Sequence, residues 1–365
     1  MSLYPFLFEH VLRRIPAEAA HRLAAAALGV AGRSPLRELV RRLLAPRDPA
    51  LAVEALGLRF PSPVGVAAGV DKEATSFAGL GALGFGFVEV GTITAEGQPG
   101  NPKPRVWRLI EDRGLLNAMG FPNPGAVTVA GRLARRRGGG IVGVNVGKGK
   151  DTPLADAAAD YRASVRELAA FADFIVVNVS SPNTAGLRSL QAVDHLRRIL
   201  DEVRAELASL GLTRPLLVKL SPDLTDDELD EVADLAVAHG VAGIVTVNTT
   251  TSRAGLASEP AILANPGGVS GAPLKPRALE VLRRLHARVG SQVALVSVGG
   301  IESAQDVWDR IVAGATLVQG YTGFVYGGPL WPKRLNDELA ARVHAAGAHS
   351  LQALVGAETP MTTAA

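Results

Sequence analysis

The chain has 365 residues, enough for one large domain with an appendage or for two domains. Hydrophobic residues make up 47%, which supplies a large core and excludes general disorder. The 38 basic against 35 acidic residues are too evenly balanced for a dedicated nucleic-acid binder, and the absence of cysteine excludes disulfides, a cysteine base and a cysteine-ligated iron–sulfur cluster.

The N-terminal segment comes first in the chain and differs from the rest. Residues 1–47 hold eight arginines against Glu9, Glu18 and Glu38, a local charge of +5, so the remainder is slightly acidic. Phe8, Val11, Leu12 and Ile15 fall at helical spacing in "FEHVLRRI". Leu36, Leu39, Val40, Leu43 and Leu44 predict a second amphipathic helix, with Ser34 as N-cap, Pro35 at its first position and Pro46 as its stop. Arginines take the opposite face. Two readings fit: a helical pair packed on the main domain, or an interfacial anchor with arginines at anionic head groups. No apolar run reaches the roughly 18 residues of a membrane span, and no signal peptide is evident.

From about residue 60 a rhythm begins. Short apolar, β-branched runs end in Gly, Asn, Thr or Ser: "PVGVAAG" (63–69), "FGFVEVGT" (85–92), "IVGVNVG" (141–147), "FIVVNVSSP" (174–182), "LLVKLSP" (216–222), "GIVTVNTT" (243–250), "VALVSVGG" (293–300) and "LVQGYTG" (317–323). Amphipathic stretches separate most of them. One opens on Thr225 as an N-cap and closes on Gly240. Apolar strands alternating with helices imply parallel βα units. Eight such units predict an α/β fold, a (β/α)8 TIM barrel with an N-terminal amphipathic helical extension, and a doubly wound sheet is the alternative. The expected division is residues 1–47 as a helical subdomain, 48–343 as the barrel and 344–365 as a frayed tail.

A barrel carries its active site at the C-terminal strand ends, where the polar residues of all eight runs gather. Glycines at the last two ends, and the glycine loop "GGVSGAPL" (267–274), predict a phosphate site. Lys72 and Lys219 sit at inward positions; each either snorkels to water or pairs with an anionic ring or carboxylate. Asn145, Asn178, Asn183 and Asn248 donate and accept together, which suits a planar heterocycle. No His/Asp/Glu cluster has metal-ligand spacing at these strand ends. The residues alone point to a metal-free enzyme with a phosphorylated organic cofactor and a small, planar, anionic substrate.

The motifs "AAGVDK", "NPKPRVWR", "NAMGF", "NVSSPNT", "VKLSPD", "VNTT", "GGVSGAPLKP" and "QGYTGF", in this order, resemble dihydroorotate dehydrogenase across nearly the whole chain. The chain is similar to the membrane-associated, quinone-reducing class 2, which has N-terminal helices and a serine base. The resemblance implies one FMN per chain, held by Ala67, Ala68, Gly69, Val70, Asp71, Lys72, Thr92, Asn145, Asn178, Lys219, Gly271, Gly300, Tyr321 and Thr322. Val247 stands where many members have Thr or Ser, so any FMN contact there is through the backbone. The implied substrate residues are Lys72, Asn117, Ala118, Met119, Gly120, Phe121, Asn178, Asn183, Asn248 and Thr249.

The resemblance also implies roles. Ser181 removes the C5 proton of dihydroorotate while C6 delivers hydride to the flavin, Thr184 and Phe121 order a water beside the serine, and Lys72 neutralises the carboxylate. Quinone enters through the N-terminal helices toward His21, Arg108 and Tyr321. The implied setting is a monomer peripheral to the cytoplasmic side of a cell membrane, with no nucleic-acid partner. Three readings compete: a soluble class 1-like enzyme using fumarate or NAD, a flavin barrel acting on tRNA uridines, and a non-enzymatic membrane scaffold. The first two use a cysteine that this chain lacks.

Overall fold

The computed structural model describes residues 3–138 and 140–358. Three helices come first: α1 (Leu3–His10), α2 (Ala17–Ala31) and α3 (Leu36–Leu44). The strands that follow are β1 (Val53–Ala55), β2 (Leu58–Phe60), β3 (Val64–Val66), β4 (Phe87–Ile93), β5 (Val106–Leu109), β6 (Gly114–Asn117), β7 (Ile141–Val146) and β8 (Phe174–Asn178). They continue as β9 (Leu216–Leu220), β10 (Gly243–Thr246), β11 (Gly268–Gly271), β12 (Ala294–Val298) and β13 (Leu317–Gly320).

Eight of these strands close a barrel in the order β3-β4-β7-β8-β9-β10-β12-β13, with β13 returning to β3. All eight pairings are parallel, and they correspond to the eight apolar runs of the sequence. Valine, leucine and isoleucine in these strands are buried because helices cover the outside and side chains fill the inside. Helix Asp226–Ala238 shows how sequence sets a boundary. Thr225 and Glu228 form a reciprocal capping box, and Gly240 beyond the last turn has φ +53°.

Aromatic rings plug the N-terminal end of the barrel. Phe87 meets Phe60 edge-on at 5.2 Å and Phe174 at 6.1 Å. Two strand glycines make the room. A Cβ at Gly65 would lie 2.3 Å from the Phe87 ring, and one at Gly143 would lie 2.1 Å from Phe174. Side chains alternate along a strand, so Glu89, two residues after Phe87, and Asn145, two after Gly143, also face inward, one layer higher.

β5, β6 and β11 form a small antiparallel sheet over the C-terminal mouth. The stretch expected to be a glycine loop at 267–274 therefore supplies a strand. Its pairing of Gly268 with Asn117 brings the two loops together.

The N-terminal segment departs from its expected boundaries. α1 ends at His10 and a 3-10 turn covers Leu12–Arg14. Pro16 holds Ile15 extended (φ −88°, ψ 142°), and the Arg108 guanidinium takes the freed Ile15 carbonyl at 2.8 Å. α2 was not among the expected pair. α3 begins at Leu36, with Pro35 at its N-cap (φ −86°, ψ −10°) in place of Ser34 and no side-chain cap. Its first N–H groups instead reach Arg33 and Pro35 carbonyls of the preceding turn.

α1 docks by Phe8, which is buried 5.0 Å from the Tyr326 ring. α2 docks on helix Phe77–Ala82, where a Cβ at Gly79 would sit 2.1 Å from the Leu28 carbonyl oxygen. The tail expected to fray from 344 is packed as far as residue 358. Leu351 is buried and Glu358 pairs with Arg283; residues 359–365 lie outside the described residues.

Candidate active site

The mouth of the barrel opens into a pocket with an empty volume of about 1100 Å³, its open rim included.

The β8 end builds the first wall. Asn178 Oδ1 accepts from the Ser180 amide at 3.2 Å and from its hydroxyl at 3.0 Å, which turns the chain off the strand. Tyr161 holds the Asn178 carbonyl from behind at 2.7 Å. Ser181 then faces the pocket, buried, its Oγ accepting from the Asn183 amide at 3.2 Å. Thr184 Oγ1 is buried with no partner among the described residues. Arg188 ties the neighbouring loops, reaching Asp223 at 2.8 Å and the Thr249 carbonyl at 3.1 Å.

The "AAGVDK" turn follows β3. Gly91, at φ +109°, bulges β4 so that its carbonyl accepts from Gly69 and its amide donates to Asp71. Asp71 spends its carboxylate on the Thr75 and Ser76 amides, at 3.0 and 2.7 Å, and so fixes the turn. Ala67, Ala68, Gly69 and Lys72 line the pocket; Val70 and Asp71 do not. Burial first, then the nearby Arg105 charge, holds the Lys72 ammonium down to about 8.

The loop 117–121 arches over the mouth. Asn101 holds the Ala118 carbonyl at 3.0 Å and the Asn183 carbonyl at 3.1 Å, while Gln98 holds the Gly120 carbonyl at 2.9 Å. Asn183 donates to Asn117 Oδ1 at 3.1 Å. Phe121 takes φ +53° and lines the pocket with Asn117, Met119 and Gly120; Ala118 turns away.

A chain of amides crosses the floor. Asn178 Nδ2 donates to Thr92 Oγ1 at 2.9 Å and Asn145 Oδ1 at 3.1 Å, and Thr92 donates to Asn145 at 2.5 Å. Asn248 donates to Ser180 Oγ at 3.0 Å. Lys219, Val247 and Thr249 also line the space, and Asn145 lies fully buried just beneath it.

Gly271, Gly300, Tyr321 and Thr322 converge at the far end, where Ser270 and Thr322 share a 2.8 Å hydroxyl contact. A Cβ at Gly300, where φ is +75°, would lie 2.5 Å from Lys275 Cβ, so only glycine lets this backbone come so close. Buried Arg310 braces the same corner through the Lys275 and Gly299 carbonyls, at 2.8 and 3.1 Å.

The family model described as dihydroorotate dehydrogenase matches residues 50–343. The chain belongs to the dihydroorotate dehydrogenase family. A relative from Mycobacterium tuberculosis, named dihydroorotate dehydrogenase (quinone), is 55% identical, covering 97% of this chain and 98% of its own. One of the same name from Thermobifida fusca is 53% identical, covering 98% and 97%. A crystal structure from Eimeria tenella, of DHODH in complex with ferulenol, superposes with a TM-score of 0.86 at 37% identity over 94% of this chain and 96% of that one.

Most residues singled out in the sequence meet in the one pocket. His21 and Arg108 lie outside its lining, although Tyr321 is part of it. His21 is on α2, where burial and the Lys72 charge push its imidazole down to about 3. Arg108 lies in β5 beside Tyr4 and Tyr326. Sequence reasoning missed Glu89, Gln319 and Ser270. Glu89 carried a readable signal, a charge inside the apolar run "FGFVEVGT". Gln319 and Ser270 carried none, since single polar residues near strand ends are ordinary turn chemistry.

Proposed function

We propose that this chain oxidises (S)-dihydroorotate to orotate in de novo pyrimidine synthesis, with one bound FMN and a membrane quinone as final electron acceptor. The observation that carries the reading is Ser181: a buried hydroxyl at the β8 end, in the same pocket as Lys72 and three residues before Thr184, whose buried hydroxyl has no partner among the described residues.

The residues present fit the cofactor. The glycine corner at 271 and 300 leaves backbone amides accessible to a phosphate. Gln319 Oε1 is buried with no partner among the described residues and its residue lines the pocket, an acceptor for a ring N–H. Lys219 supplies a cation at the floor. When bound, FMN supplies the hydride acceptor for C6 and relays two electrons to the quinone.

The protein's own part is binding and proton transfer. Lys72 puts a cation in the pocket wall, which suits the substrate carboxylate. Asn117, Asn183 and Asn248 offer the donors and acceptors that a pyrimidine ring edge needs. Ser181 Oγ takes the C5 proton as its own proton passes through one water, steadied by Thr184 Oγ1, and out to bulk solvent. Phe121, which lines the pocket, helps hold that water beside the serine. His21 stays a neutral imidazole at physiological pH and, with Arg108 and Tyr321, guides the quinone.

Attachment to the cytoplasmic face of the membrane, as a monomer, completes the reading. Phe6, Leu7, Val11, Leu23, Val30, Leu36, Leu39 and Leu43 are exposed on the arginine-rich N-terminal helices. None of the described helices is long and apolar enough to cross a membrane.

The test is an acceptor panel: purified protein, dihydroorotate, and ubiquinone, menaquinone, fumarate or NAD in turn. Turnover with a quinone alone is the expected result. Turnover with fumarate or NAD and none with quinones overturns the acceptor, and a protein that binds no flavin overturns the cofactor.

A further inference from the structure

Beneath the pocket floor lies a carboxylate that the proposed chemistry does not use. Glu89 is 0% exposed and points into the barrel from β4. Its two oxygens meet donors only. Asn145 Nδ2 donates to Oε1 at 2.7 Å, Gln319 Nε2 donates to Oε2 at 2.5 Å, and Lys219 Nζ lies 3.8 Å from Oε1.

Two physical consequences follow. An acceptor-only group fixes which end of each amide faces it. Asn145 must turn its nitrogen down to Glu89, so its oxygen faces up and accepts from Thr92 and Asn178. Asn178 then turns its own oxygen toward Ser180. Gln319, whose nitrogen is committed to Glu89, keeps an oxygen with no partner among the described residues. Glu89 thus sets the direction of the amide chain as far as the strand end that carries Ser181. The second consequence is electrostatic. A buried lysine beside a buried carboxylate delivers less positive potential than a bare one.

We propose that Glu89 is a positioning residue that orients the floor amides and offsets the charge of Lys219, so that it lowers the reduction potential of the bound flavin. The inference rests on the FMN reading above. Replacing Glu89 with glutamine removes one negative charge and leaves an amide that can bond in either sense.

The test is the midpoint potential of bound FMN, measured in the holoenzyme against a reference dye. Glu89→Gln should make the flavin easier to reduce by roughly tenfold in the two-electron equilibrium, the scale of one charge at an effective dielectric of about 20; that is about 30 mV. Lys219→Met should shift it the opposite way. Glu89→Asp, which keeps the charge, should stay closer to the parent than Glu89→Gln. An unchanged or lower potential in Glu89→Gln overturns the proposal. If Glu89→Gln does not retain flavin, the Glu89→Gln/Lys219→Met double variant is compared with Lys219→Met. The double variant should be the easier to reduce, and equal potentials overturn the proposal. A purely structural role for Glu89 would lower flavin content and stability while leaving the potential of the bound fraction where it was. A parent protein that binds no FMN would instead defeat the functional reading itself.

Discussion

Ser181 has no charged hydrogen-bond partner among the described residues to activate it. No carboxylate or imidazole among the described residues hydrogen-bonds its Oγ, whose partner is the Asn183 amide. A serine base therefore depends on passing its proton on, and we propose that the buried Thr184 hydroxyl, which has no partner among the described residues, helps relay it to solvent. Ser181→Ala should retain FMN yet slow flavin reduction by dihydroorotate by about 10²–10⁴-fold at neutral pH, the usual weight of a general base. Stopped-flow absorbance of the flavin reads this, and an unchanged rate removes the role. Lys72 gives a pH dependence. Its folded value lies near 8, pushed down by burial and by Arg105, so the cation is present below pH 8 and fades above it. A substrate carboxylate prefers the cation, so orotate affinity should be level at lower pH and weaken as pH rises through about 8. Titration of the flavin spectrum with orotate checks the sign; affinity that strengthens above pH 8 refutes it.

At the scale of elements, tight contacts decide where helices can lie. Gly79 touches α2 so closely that an added methyl must push the helix away, because the nearest atom is backbone. Gly79→Ala should separate α2 from helix Phe77–Ala82 and carry His21 with it. Quinone reduction should fall while flavin reduction by dihydroorotate continues, and equal loss of both half-reactions would contradict a local effect. The barrel strands were legible because fully buried parallel strands are apolar runs that end in polar residues. The N-cap at Thr225 was legible because its chemistry lies within four residues; the reciprocal bond from Glu228 came with the structure. Other features depended on distant partners. Nothing near Ser34 tells that backbone carbonyls will cap α3, and nothing near Gly268 tells that it will pair with Asn117. Lys219 was visible as a costly charge, but its partner Glu89 lies 130 positions away in the chain and was passed over.

At the scale of the whole molecule, we propose that the chain divides its tasks between the barrel and its N-terminal helices. Deleting residues 2–45 should preserve dihydroorotate-dependent flavin reduction and abolish quinone reduction. The structure adds a qualification. Glu18 on α2 accepts from buried Arg105 at 2.8 Å, and Arg105 holds the Asn101 carbonyl, whose residue steadies the 117–121 loop. The truncated protein should therefore also bind orotate more weakly, and full quinone turnover by it would refute the division. The exposed apolar residues of α1–α3 should bind anionic vesicles in a salt-sensitive way, since arginines near head groups act through screened charge. Vesicle flotation at low and high salt measures it.

The aromatic plug has a different electrostatic consequence. Phe60, Phe87 and Phe174 make the barrel a flask with one neck. Mobile ions cannot reach the charges at its base from below. Salt that strips the protein from vesicles should leave the flavin potential almost unmoved, so one molecule would answer ionic strength at its surface and ignore it at its centre.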